Sequence, residues 1–154
     1  MSTKWRVEQV PLDDGATFDE IEEFSREAGL PFFLPTRSDM RAQFVIRDGE
    51  GRLGAAGRLE YSYGHPMVEE IAVREDLRRS GLGTIIVSAI LDEAKEEGIG
   101  TIWVMARAPE FFRSLGFKPA PDKELLSKLK EECAVCRDHI VICNPILMRK
   151  ELTQ

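Results

Sequence analysis

The sequence predicts a single α/β domain over residues 1–154, and three observations carry that expectation. Short alternating apolar stretches and amphipathic helical stretches follow one another along the chain, the signature of a sheet covered by helices. The length suits one hydrophobic core and is short for two. No internal repeat or low-complexity linker divides the chain.

The elements can be taken in order. KWRVEQVPL (4–12) alternates and reads as an edge strand closed by Pro11. In TFDEIEEFSREAGL (17–30), Thr17 and Glu20 have capping-box spacing, Phe18, Ile21, Phe24 and Ala28 form one helical stripe, and Gly29 supplies a stop. AQFVIRDGEGRLGAAGRLEY (42–61) is two strand-like runs around a hairpin signal, and HPMVEEIAV (65–73) is a further strand. A helix follows from Leu82 to Glu97, with Ile85, Ile86, Ala89, Ile90 and Ala94 inward and Gly98 at its end. TIWVMARA (101–108) is a strand, PEFFRSLGF (109–117) a short helix with Pro109 in its first turn, and HIVICNPILMRKEL (139–152) a closing pair of extended pieces.

Composition limits the function. Asp and Glu number 27 against 21 Lys and Arg, so a nucleic-acid footprint is not expected and any anion site must be local. The opening MSTKWRVEQV lacks the apolar centre of a signal peptide, and no run approaches the roughly 20 apolar residues that span a bilayer. No membrane partner is expected. Three cysteines, an odd count, fit a reducing cytoplasm better than a disulfide framework.

LRRSGLGTII (77–86) is the local anion site. A strand feeding a glycine turn into a helix offers unpaired amides and the positive helix end to one point. Gly81 and Gly83 let the backbone approach a ligand, and Arg78 and Arg79 add charge. It is neither a Walker loop nor a dinucleotide GxGxxG. The competing reading is a plain glycine turn with solvated arginines.

The run VEEIAVREDLRRSGLGTIIVSAILDEAKEEGIGTIWVMARAPEFFRSLGF resembles the GNAT superfamily of acyl-CoA-dependent N-acyltransferases. The family's Gln/Arg-x-x-Gly-x-Gly/Ala motif matches Arg78, Gly81 and Gly83. The resemblance implies a mixed, mostly antiparallel sheet flanked by helices and splayed between its fourth and fifth strands. It implies acetyl-CoA as cosubstrate, its pyrophosphate on Arg79, Ser80, Gly81, Leu82, Gly83 and Thr84, and its pantetheine arm along Ile71, Ala72 and Val73. It also implies a base at Glu69, or at Glu70 as runner-up, either of which could instead be a solvated carboxylate. Alternation would put Glu69 with Met67 and Ile71, and Glu70 with Val68 and Ala72. His65, in a turn, reads as a surface residue.

Many relatives carry a proton-donating tyrosine where this chain has Phe112. Phe112 is therefore counted only as a cofactor contact; either water, Tyr61 or Tyr63 is the donor, or the thiolate leaves without dedicated help. The segment from RAPEFFRSLGF to the cysteine-containing tail is similar to single-domain N-acetylglutamate synthase-like proteins. That resemblance implies a small-molecule acceptor, glutamate or a similar amino acid, with Arg58 and Arg107 as candidate partners for its carboxylate. Another amine as acceptor (protein N-terminus, polyamine or antibiotic), or a non-catalytic CoA-binding sensor, stays open, and a homodimer is compatible with either. Cys133, Cys136, His139 and Cys143 have ligand types suited to zinc. If HIVIC is a strand, however, its ends lie about 13 Å apart, so no metal is expected.

Overall fold

A computed structural model describes residues 5–30, 38–134 and 146–152. The strands are β1 (Val7–Val10), β2 (Ser38–Arg47), β3 (Leu53–Ser62), β4 (His65–Val73), β5 (Thr101–Ala106), β6 (Lys118–Pro119) and β7 (Ile146–Glu151). The helices are α1 (Gly15–Glu27), α2 (Leu82–Glu96), α3 (Pro109–Ser114) and α4 (Lys123–Ala134), with a 3-10 turn at Glu75–Leu77. Among the described residues the strands build a seven-stranded sheet in the order β1-β2-β3-β4-β5-β7-β6. Neighbouring strands run antiparallel except β4 and β5, which are parallel. A parallel pair needs a crossover, and α2 supplies it.

Two apolar layers sandwich the sheet. Leu82, Ile86, Ile90 and Ala94 of α2 bury against Ala42, Phe44, Ile46, Ala55, Leu59 and Val68 on one face. On the other face, Ile21 and Phe24 of α1 cover Val10, Val45, Ala56 and Ala72. Further along, Leu125 and Leu129 of α4 join Met67 and Leu147.

Several boundaries differ from those expected. Helix α1 starts at Gly15 because Asp14, not Thr17, is its cap: the Asp14 carboxylate accepts from the Thr17 amide at 3.2 Å and the Thr17 hydroxyl at 2.7 Å. On α2, Val87 is buried, whereas Ile85 and Ala89 flank the core half-exposed. The two-residue β6 lacks any sequence signal. The piece HIVIC, with Cys136, His139 and Cys143, lies outside the described residues, as does the side chain of Cys133.

Candidate functional site

The β4–β5 ladder holds only Met67 to Trp103 and Val68 to Val104. Beyond Val68 the two strands part, and the β5-facing edge of β4 from Glu69 to Val73 has no strand beside it among the described residues. The expected splay between the fourth and fifth strands is therefore present, with Ile71, Ala72 and Val73 along its open edge.

A β-bulge marks the parting. Between the pairs Ala56–Ala72 and Arg58–Glu69, β3 contributes Gly57 alone while β4 contributes both Glu70 and Ile71. Glu70 takes the left-handed conformation, φ 54°, uncommon for a residue with a side chain. Glycine is required opposite it: a Cβ on Gly57 would collide with Ile71 Cδ1 and Ile86 Cγ2. The bulge corrects the alternation expected for this strand. Ile71 joins the α2-facing cluster with Val68, and Glu70 no longer follows Val68 and Ala72.

The polar groups around Glu70 come from three strands. Arg58, 2% exposed, pairs with Glu60, its Nε donating to Oε1 at 2.6 Å. Both lie on the α1 side of β3, where Arg58 is opposite Gln43 on β2 and Glu69 on β4. Glu70 Oε2 is buried without a hydrogen-bond partner among the described residues. Burial pushes the Glu70 carboxyl up to about 7, opposed by the charge of Arg58, reinforced by Glu60 and opposed again by Arg107. Arg107, exposed just past the end of β5, thus acts on Glu70 from across the splay. Arg58, a candidate partner for an acceptor carboxylate, is buried and ion-paired with Glu60 through Nε. As whole residues Glu69 and Glu70 are both half-buried, Glu69 lying opposite Arg58.

The glycine turn sits past the end of β4. Gly81 caps α2 with φ 87° and no side-chain cap, and a Cβ there would meet nothing within 4 Å. Arg79 is also left-handed, φ 70°. Two such positions around Ser80 form a concave backbone of the kind that holds anions. The residues named for this seat divide in function. The Ser80 amide and hydroxyl both donate to the Leu77 carbonyl, and Leu82 is 1% exposed, its side chain in the core. The Arg78 guanidinium donates to the carbonyls of Val73 and Ala28, each at 3.3 Å, which ties the turn to α1. Thr84 is exposed. Gly83 serves packing as well as access, since a Cβ there would stand 3.2 Å from Phe111.

The acetyltransferase (GNAT) family model matches residues 8–117. The chain belongs to the GNAT acetyltransferase family. It is an acyltransferase of a family whose cosubstrate is acetyl-CoA. An uncharacterized N-acetyltransferase of Chlorobaculum tepidum is 26% identical over 110 residues, covering 71% of this chain and 70% of that protein. The [ribosomal protein bS18]-alanine N-acetyltransferase of Escherichia coli K12 is 36% identical over 55 residues, 32% of this chain and 37% of that one. A structure of Neisseria gonorrhoeae N-acetylglutamate synthase, complexed with coenzyme A and N-acetyl-glutamate, superposes with TM-score 0.72 at 17% identity. This GNAT chain is covered completely in that superposition but spans only 36% of the synthase.

The other residues singled out in the sequence have these surroundings. Phe112 is 6% exposed, its ring edge-on to Phe111 at 5.0 Å and Phe117 at 5.5 Å. Tyr61 packs on the α2-facing cluster with Arg41 over its ring, and Tyr63 belongs to the α4 cluster. His65 stacks edge-on against Trp103 and approaches Asp122 at 3.6 Å. Among the described residues no group of His, Cys, Asp and Glu could hold a metal, and no helix is long and apolar enough to cross a membrane. Sequence reasoning missed Gln43 and Glu60. Gln43 was visible as the one polar residue in AQFVI, and Arg58 and Glu60 as opposite charges two apart, hence on one face of a strand.

Proposed function

We propose that this chain transfers the acetyl group of acetyl-CoA to a primary amine, with Glu70 as the general base, and that the acceptor is glutamate or a similar amino acid. The observation that supports this most is the Glu70 carboxyl, held by the bulge where β4 and β5 part and facing the charge of Arg107. Acetyl-CoA supplies the activated acetyl thioester. The turn amides from Gly81 to Thr84 at the head of α2 are suited to its pyrophosphate, the Ser80 amide being already used on the Leu77 carbonyl, and the open edge of Ile71–Val73 offers backbone groups to an amide-bearing arm.

An ammonium acceptor must lose a proton before it can attack. A carboxylate near pH 7 is partly ionised at neutral pH and takes that proton well. Geometry favours Glu70 over Glu69 for this role, because Glu69 is opposite Arg58 while Glu70 carries the buried, unpartnered oxygen. A thiol with a pKa of about 8.5 is a tolerable leaving group near neutrality, so Phe112 in place of a donor does not forbid turnover. Arg107, exposed just past the end of β5, is the candidate cation for the acceptor's carboxylate.

A second reading has its own observation. The local similarity to the bS18-alanine N-acetyltransferase, together with the engagement of Arg58 by Glu60, favours a protein N-terminus as acceptor. Thiol release measured with glutamate, other amino acids, polyamines and an alanine-initiated peptide separates the two. Turnover with free amino acids is expected, and Arg107→Ala should raise acceptor KM roughly tenfold or more while leaving acetyl-CoA KM within about twofold. Turnover of the peptide alone would overturn the amino-acid reading.

A further inference from the structure

We propose that Gln43 is a positioning residue for this reaction: its side-chain amide braces the Gly57 carbonyl and so holds the bulge that presents Glu70 where β4 and β5 part. The inference rests on Glu70 being the base.

Gln43 is 1% exposed in the middle of β2. Its Nε2 donates to the Gly57 carbonyl at 3.1 Å and to the Phe44 carbonyl at 3.2 Å. Gly57 is the residue on β3 that faces Glu70 and Ile71 across the break in register. A bulge disrupts the local ladder, and a side chain from the next strand reaches the carbonyl at that break. Meanwhile Ile71 and Ile86 close on Gly57 from the α2 side.

The bulge is therefore clamped by packing on one face and by a hydrogen bond on the other. A left-handed Glu70 needs such support, because a residue in that region persists only when its surroundings fix it. Gln43 Oε1, by contrast, is buried without a partner among the described residues. An amide with an unsatisfied acceptor is a costly way to fill a core position, and here its donors supply the reason. The charged groups around Glu70 are Glu69 on its own strand, Arg58 and Glu60 on β3, and Arg107 after β5; Gln43 adds no charge to them.

The test uses Gln43→Met, which keeps length and removes both donors. With the bulge released, turnover should fall about tenfold. The acid limb of the kcat/KM profile should move below its wild-type midpoint as the Glu70 carboxyl gains water. Acetyl-CoA affinity by calorimetry should stay within about twofold, since the glycine turn is separate. A folded Gln43→Met with wild-type turnover and limb overturns the proposal. If that variant does not fold, Gln43→Asn, too short to reach Gly57, is read in the same way. In the wild type, the Gln43 side-chain amide protons should exchange with solvent more slowly than those of exposed Gln9 by NMR, and equally fast exchange also overturns the brace. Failure of the base reading looks different. Glu70→Gln would then keep full turnover, and carbon-13 titration of the Glu70 carboxyl in Gln43→Met would still report the brace.

Discussion

Glu70 is held in a chemically useful and thermodynamically costly state. Its folded carboxyl titrates near 7 against an ordinary value of 4.5, so between those two values the folded chain binds more proton than the unfolded one. Stability from this group therefore falls as pH rises from about 4.5 to about 7 and is flat above, a loss of up to about 3 kcal/mol. Glu70→Gln should remove that slope and melt higher than wild type at pH 8, as chemical denaturation at pH 5 and pH 8 would reveal. Equal pH dependence in both proteins would mean that the carboxyl is not buried as described. Arg58→Met would leave the buried Glu60 carboxylate unmatched, at a cost of about 3 kcal/mol or more, which urea unfolding at pH 7 would measure.

The glycine turn and α2 act together as one element. Gly81 has open space where a side chain would go, although its φ of 87° disfavours one, so Gly81→Asp should fold while placing negative charge at the head of α2. Calorimetry should show acetyl-CoA binding abolished; unchanged affinity would remove this turn from the cosubstrate site. Gly83 is a poorer test because its replacement also presses on Phe111. At α1, Asp14→Ala should cost about 1 kcal/mol by loss of the cap, and Thr17→Ala should cost less, since its backbone amide stays. What was legible in the sequence follows the same division. The turn, α2 and the hairpin of β2 and β3 were readable because their signals are local: glycines, helical periodicity and RDGEGR. The cap was misread because Asp14 and Thr17 both suit that position, and only the observed hydrogen bonds separate them.

At the scale of the whole molecule, the crossover through α2 makes β4 and β5 parallel and brings the head of α2 past the end of β4. Ligands of such sheets sit beyond the carboxyl ends of parallel strands. The splay could be expected from family resemblance, but the bulge could not. It arises where Gly57 on β3 meets Ile71 on β4 and Ile86 on α2, three residues distant in sequence, so strict alternation along HPMVEEIAV misassigned the faces. The pairing of Arg58 was hidden for a related reason. Residues two apart share a face, but nothing in the sequence says which face lies beneath α1.

The claim that Glu70, set by this bulge, removes the acceptor's proton is tested most directly by kcat/KM against pH, with one turned-over amine, for wild type, Glu70→Gln and Glu69→Gln. Wild type should rise through an ionisation near pH 7. Glu70→Gln should be slower by roughly 10²- to 10⁴-fold and lack that limb, with the deficit smallest at high pH, where more of the amine is already neutral, and Glu69→Gln should retain the limb. A Glu70→Gln enzyme that keeps both the rate and the limb, or a Glu69→Gln enzyme that loses both, would contradict it.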